Sequence, residues 1–130
     1  MSTIKAANLQ NTGSGAPTFK NSSGTEIGQL CKAWVNFNGG RNGSFGIRDS
    51  FNVSSVTDLG TGDFDINFTT AMANTNYAFV GHANFSRTSG DGRMFLSGRT
   101  RTTSKIFVEA VGDGGSSFDA EDNDCVIFGD

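Results

Sequence analysis

Hydrophobic and polar positions alternate with period two over much of this chain, in short runs separated by turn formers. The clearest run is Asp63-Phe64-Asp65-Ile66-Asn67-Phe68, with Phe64, Ile66 and Phe68 on one face and Asp63, Asp65 and Asn67 on the other. Such alternation predicts a half-buried strand of an antiparallel sheet. Asp58-Leu59-Gly60-Thr61-Gly62 before it reads as a turn, and Phe45 to Thr57 before that as one long extended stretch. Together they predict a hairpin. Lys32 to Asn38 predicts a strand stopped by Gly39-Gly40. Tyr77 to Phe85 predicts another, with bulk at odd positions and small or polar residues at even ones, apart from Val80. Arg87 to Gly92 turns the chain into a short strand, Arg93 to Ser97. In Thr103 to Val111, Ile106, Val108 and Ala110 share a face, and Gly112-Asp113-Gly114-Gly115 breaks the run. Asp124 to Phe128 is apolar on both faces, the mark of a strand central in a sheet or at a subunit interface. Seven strands and almost no helix predict an all-β fold, an antiparallel β-sandwich of jelly-roll-like kind over residues 31–130.

Residues 1–30 differ. Ile4, Leu9, Phe19, Ile27 and Leu30 are scattered among Asn-Thr-Gly-Ser-Gly and Asn-Ser-Ser-Gly turn formers, too sparse for a core of their own. They predict an extended N-terminal arm that orders on a neighbouring subunit or particle. Composition sharpens the picture. The mean hydropathy is -0.29 and the formal charge -3. No run approaches the roughly 20 apolar residues of a membrane helix, which argues against membrane insertion. No apolar stretch near the N-terminus suggests a secretion signal. The acidic balance offers nothing to neutralise a row of phosphates, so nucleic acid is not an expected partner. Cys31 and Cys125 stand 94 positions apart with one His in the chain, which predicts two buried thiols and no zinc site, a disulfide being open only to a fold that brings the two together.

Several chemistry-bearing residues also fit plain structural roles. Asp63 and Asp65 share a strand face about 7 Å apart, a spacing that suits a glycosidase pair but also any solvated strand. His82 lies among small residues of a strand, and a structural role is expected. Asp113, Asp119, Glu121, Asp122 and Asp124 could supply oxygen ligands to calcium, but lack the spacing of a calcium loop and read as a solvated acidic stretch. The glycine-rich stretches match no phosphate or dinucleotide fingerprint. These readings predict no catalytic residue, no metal and no cofactor. Trp34 with Arg93, Arg99 and Arg101 forms a candidate glycan contact, through ring stacking and charge.

Five pieces of the chain occur in a suggestive order: Cys31 to Gly39, Ile47 to Val56, Gly60 to Phe64, Asn67 to Met72, and Asn76-Tyr77-Ala78. This series resembles a small domain of bacteriophage tail-fibre and other virion proteins, especially in phages of marine and aquatic bacteria. Leu9 to Thr12 and Gly15 to Phe19 are similar to its lead-in, and Val126 to Asp130 to its closing strand. Ala73 stands where a Pro is expected, and the loop Gly39 to Ser44 is more polar than usual. The resemblance implies a non-enzymatic virion structural protein, tail-fibre-like or capsid-decorating, assembled in the bacterial host cytoplasm. It also implies a homotrimer attached to other virion proteins of the tail or capsid. Ile4, Leu9, Phe19, Ile27, Leu30, Cys125 and Ile127 are the candidate interface residues. The alternative is a receptor-recognition module of the virion that binds a host surface glycan.

Overall fold

The computed structural model describes residues 6, 8–10, 17–88 and 94–129. The backbone forms two compact units, Met1–Leu30 and Cys31–Asp130. In the first, β1 (Phe19–Lys20) and β2 (Glu26–Gly28) make a two-stranded antiparallel sheet. Asn21 builds its turn: Oδ1 accepts from the amides of Ser23 (3.1 Å) and Thr25 (2.9 Å). This is the local side-chain turn that Asn favours. The N-terminal unit thus contains a hairpin rather than an extended chain alone.

Among its described residues the second unit holds eight strands: β3 (Ala33–Asn38), β4 (Gly46–Phe51), β5 (Val53–Gly60), β6 (Asp63–Phe68), β7 (Ala78–Asn84), β8 (Met94–Arg101), β9 (Lys105–Gly112) and β10 (Asp122–Phe128). They form one antiparallel sheet in the order β4-β3-β10-β7-β8-β9-β6-β5. The strands β7, β8 and β9 follow one another, and β10 returns to lie beside β7, which is a Greek-key connection. The last strand is central, as its doubly apolar sequence allows.

The two edge strands, β4 and β5, are consecutive in the chain with Asn52 alone between them. The sheet therefore curls until its edges meet at that residue and is nearly closed. Asn52 has a left-handed backbone, φ 54°, a conformation that Asn tolerates better than most residues. Its Nδ2 donates to the carbonyls of Lys32 (3.0 Å) and Thr70 (3.1 Å). Its Oδ1 accepts from the Thr70 amide at 2.7 Å, and its carbonyl from the Thr69 amide at 3.2 Å. The expected single stretch from Phe45 to Thr57 is thus two strands folded at a corner. The turn expected from Asp58 is shorter too, since pairing with β6 carries β5 to Gly60.

The core follows the alternation closely. Val35 and Phe37 of β3, Phe64 and Ile66 of β6, Ile106, Val108 and Ala110 of β9, and Cys125 and Ile127 of β10 are all buried. Phe37 meets Phe64 edge-on with ring centroids 5.1 Å apart. Phe79 fills the space over two glycines. A Cβ on Gly81 would stand 2.5 Å from its ring, and one on Gly98 would stand 2.8 Å away. Small residues at these inward positions make room for a large one, as dense packing requires.

Candidate functional site

The strand registers assemble a face that no single segment shows. Trp34 of β3 lies opposite Phe51 of β4 and opposite Val126 of β10, and Val126 lies opposite Val80 of β7. Directly opposed residues point to the same side of a sheet. Their inward neighbours Val35, Cys125 and Ile127 are buried, so this row of four apolar side chains points outward across four adjacent strands. Val80 is 64% and Phe51 53% exposed, while Trp34 and Val126 are half-buried between them. Phe128, opposite Ala78, extends the apolar area by one more row.

The next outward row is polar: Asp49, Asn36, Asp124 and His82. Asn36 Nδ2 donates to Asp124 Oδ1 (2.6 Å) and Asp122 Oδ1 (3.1 Å). Arg48 donates to Asp122 Oδ1 (3.0 Å), and through Nη2 to the Glu121 carbonyl (2.6 Å). Arg87 lies 3.4 Å from the same Asp122 carboxylate, and His82 Nδ1 is 3.7 Å from Asp124. These carboxylates are held by Asn and Arg side chains. The face thus has an apolar half suited to an apolar partner, beside a polar half in which Asp122 pairs with Arg48 and Arg87.

The candidate residues from the sequence fall in different places. Leu9, Phe19, Ile27 and Leu30 are exposed side chains of the N-terminal unit, whereas Ile4 lies outside the described residues. Cys125 and Ile127, expected at an interface, point inward and are 2% and 0% exposed. Burial between β3 and β7 makes them core residues, and the outward positions of the same strand are Val126 and Phe128. The glycan group does not come together. Trp34 is on β3, while Arg99 and Arg101 are on β8, with β10 and β7 between these strands. Arg99 pairs with Glu109, and Arg101 sits 5.9 Å from the Tyr77 ring. Arg93 lies outside the described residues.

Other expectations also change. Asp63 and Asp65 do not form a solvated pair, because Asp65 is buried and its Oδ2 accepts from Lys105 Nζ at 2.5 Å. His82 is an exposed side chain of β7, beside Asp124. Among the described residues no group of three or more His, Cys, Asp or Glu side chains could hold a metal ion. In the acidic stretch, Asp119 instead accepts from the Gly62 amide (2.8 Å) and Glu121 from the Arg87 amide (3.3 Å). Cys31 and Cys125 are free thiols. Cys31 is only partly buried, donating to the Ala33 carbonyl at 3.1 Å. Burial pushes the Cys125 thiol up to about 12. Tyr77 is also raised, by burial, with Arg101 opposing the shift. Its hydroxyl donates to the carbonyls of Thr102 (3.1 Å) and Lys105 (3.3 Å). No helix among the described residues is long and apolar enough to cross a membrane.

Sequence reasoning missed Phe51, Val80 and Val126 as one surface. Val80 had broken the alternation of its strand, which was the available signal; the register that aligns it with Val126 and Trp34 was not. Compared with family models, curated proteins and solved structures, the chain matches none.

Proposed function

We propose that this chain is a structural component of a bacteriophage virion, tail-fibre-like or capsid-decorating. In this reading it assembles as a homotrimer and attaches through its N-terminal unit. The observation that carries the proposal is the outward row Phe51, Trp34, Val126 and Val80, four apolar side chains in register on one sheet face. A contiguous apolar patch rimmed by polar groups is the usual mark of a protein contact surface. The five-piece resemblance to virion domains supplies the biological setting. We also read the nearly closed sheet as a sandwich of two four-stranded layers, β4-β3-β10-β7 and β8-β9-β6-β5. The described register between β7 and β8 pairs Ala83 with Met94, at the boundary of these two layers. Greek-key connections of this sort are shared with jelly rolls.

Immunogold labelling of particles purified from an infected culture tests the assignment. Label on the tail or capsid at regular positions is the expected result. Unlabelled particles, with the chain left in the soluble lysate, refute it. A glycan array read in parallel decides the competing receptor-module reading.

A further inference from the structure

We propose that the outer face of β4-β3-β10-β7 is the docking surface for the N-terminal unit, residues 1–30, of a second copy of this chain. The inference deepens the assembly reading above and rests on it.

The row on that face needs a cover. A face of four strands, five residues long, measures roughly 19 by 17 Å. A stable interface takes about 800 Å² per partner, so this face is one part of a larger contact. The N-terminal unit has matching surface to offer. None of its described residues is buried, and Leu9, Phe19, Ile27 and Leu30 are exposed, Ile27 at 67%. A two-stranded sheet such as β1-β2 is at best marginally stable without something to pack on.

Charge selects the occupant. Two of the ten Lys and Arg residues, Lys5 and Lys20, lie in 1–30 with one of the thirteen acids, Glu26, for a net +1. Residues 31–130 keep eight basic residues against twelve acids, a net −4. Packing the body of one copy on the body of another brings like charge together, whereas the N-terminal unit brings the opposite sign. Asp49 and Asp124 border the apolar row, where the charge of that unit is complementary. A contact from the N-terminal unit of one copy to the sheet face of the next is head-to-tail. Such a contact closes into a ring when the rotation allows, and a ring of three is the homotrimer proposed above.

The test uses the full chain. Heavy-isotope chains carrying a photo-crosslinking amino acid at Ile27 are mixed with light chains, and mass is followed by light scattering. The expected result is an assembly above the monomer mass. Heavy-to-light cross-links should fall in peptides spanning 32–38, 49–51, 78–82 or 124–128. Val80→Asp and Ile27→Asp should each weaken association by about tenfold or more, the factor for removing one buried aliphatic side chain from an interface. Phe95→Asp, an exposed position on β8, should leave association unchanged. A monomer at every concentration overturns the proposal, as do cross-links confined to one chain, cross-links to other surfaces, or an equal effect of Phe95→Asp. Those outcomes leave the virion reading to particle labelling, and unlabelled particles with the expected cross-links refute that reading while keeping the docking face.

Discussion

Asn52→Ala is the substitution that most directly tests how the sheet closes. The side chain makes three hydrogen bonds, two donated to the Lys32 and Thr70 carbonyls and one accepted from the Thr70 amide. A hydrogen bond contributes about 0.5–1.5 kcal/mol net. The corner is partly exposed and water can replace lost partners, so the low end applies, about 1.5–2 kcal/mol for the three. Ala must also hold φ 54°, which costs about 1 kcal/mol more than for Asn. The expected loss is therefore about 2.5–3 kcal/mol, a large share of a typical domain's stability. Asn52→Gly separates the two causes. It loses the same side-chain bonds but adopts a left-handed backbone without steric cost, so it should be about 1 kcal/mol more stable than the Ala variant, less its greater unfolded-state entropy. Urea unfolding followed by tryptophan fluorescence reads both, with Trp34 as the single reporter. An unchanged denaturant slope is required for the comparison. If Asn52→Ala falls within 0.5 kcal/mol of the parent, or if the Gly variant is clearly less stable than the Ala variant, the corner is not what fastens β4 and β5.

Gly81→Ala should cost about 1–3 kcal/mol by crowding the Phe79 ring, and Phe79→Leu in the same chain should recover about 1 kcal/mol of it in a double-mutant cycle. Asp65→Asn should lose ~1 kcal/mol in urea melts, a modest figure because the Lys105 side chain is 44% exposed and its ion pair is screened by water. High pH should destabilise the fold. The Cys125 thiol rises from an ordinary 9.0 to about 12 in the folded chain, so the folded state holds its proton more tightly than the unfolded state. That stabilisation is complete below pH 9 and is lost as pH rises toward 12. Cys125→Ala should flatten the decline, leaving the smaller contribution of Tyr77; an unchanged slope between pH 9 and 12 would contradict the assignment.

The alternating segments were legible because each strand has one buried face. Phe64, Ile66 and Phe68 of β6, and Ile106, Val108 and Ala110 of β9, are buried as their spacing predicted. The corner at Asn52 was not legible, because Asn-Val-Ser is as compatible with an extended strand as with a bend. What fixes the bend is the set of carbonyl and amide partners brought from Lys32, Thr69 and Thr70, far away in sequence. Asp65 departs from its expected solvated position for a related reason. Alternation assigns it to the face opposite Phe64, but Lys105 on the adjacent β9 covers that side too. Period two tells which residues share a face and not whether the second face is wet.

β10 shows the same limit at the site itself. Its Cys125-Val126-Ile127-Phe128 run has no polar residue to mark an outside, so the sequence predicted a covered strand without saying which side chains any partner would meet. Pairing with β3 on one flank and β7 on the other settles this: Cys125 and Ile127 turn into the core, and Val126 and Phe128 turn out. Nothing in the core requires Val126, Val80 or Phe51 to be apolar, since none contributes to the buried cluster. On a solvated face, Thr or a charged residue would serve as well at these strand positions. Three such residues aligned with Trp34 on adjacent strands, beside a polar row of Asp49, Asn36, Asp124 and His82, therefore mark a surface whose composition follows from what it touches rather than from what it folds.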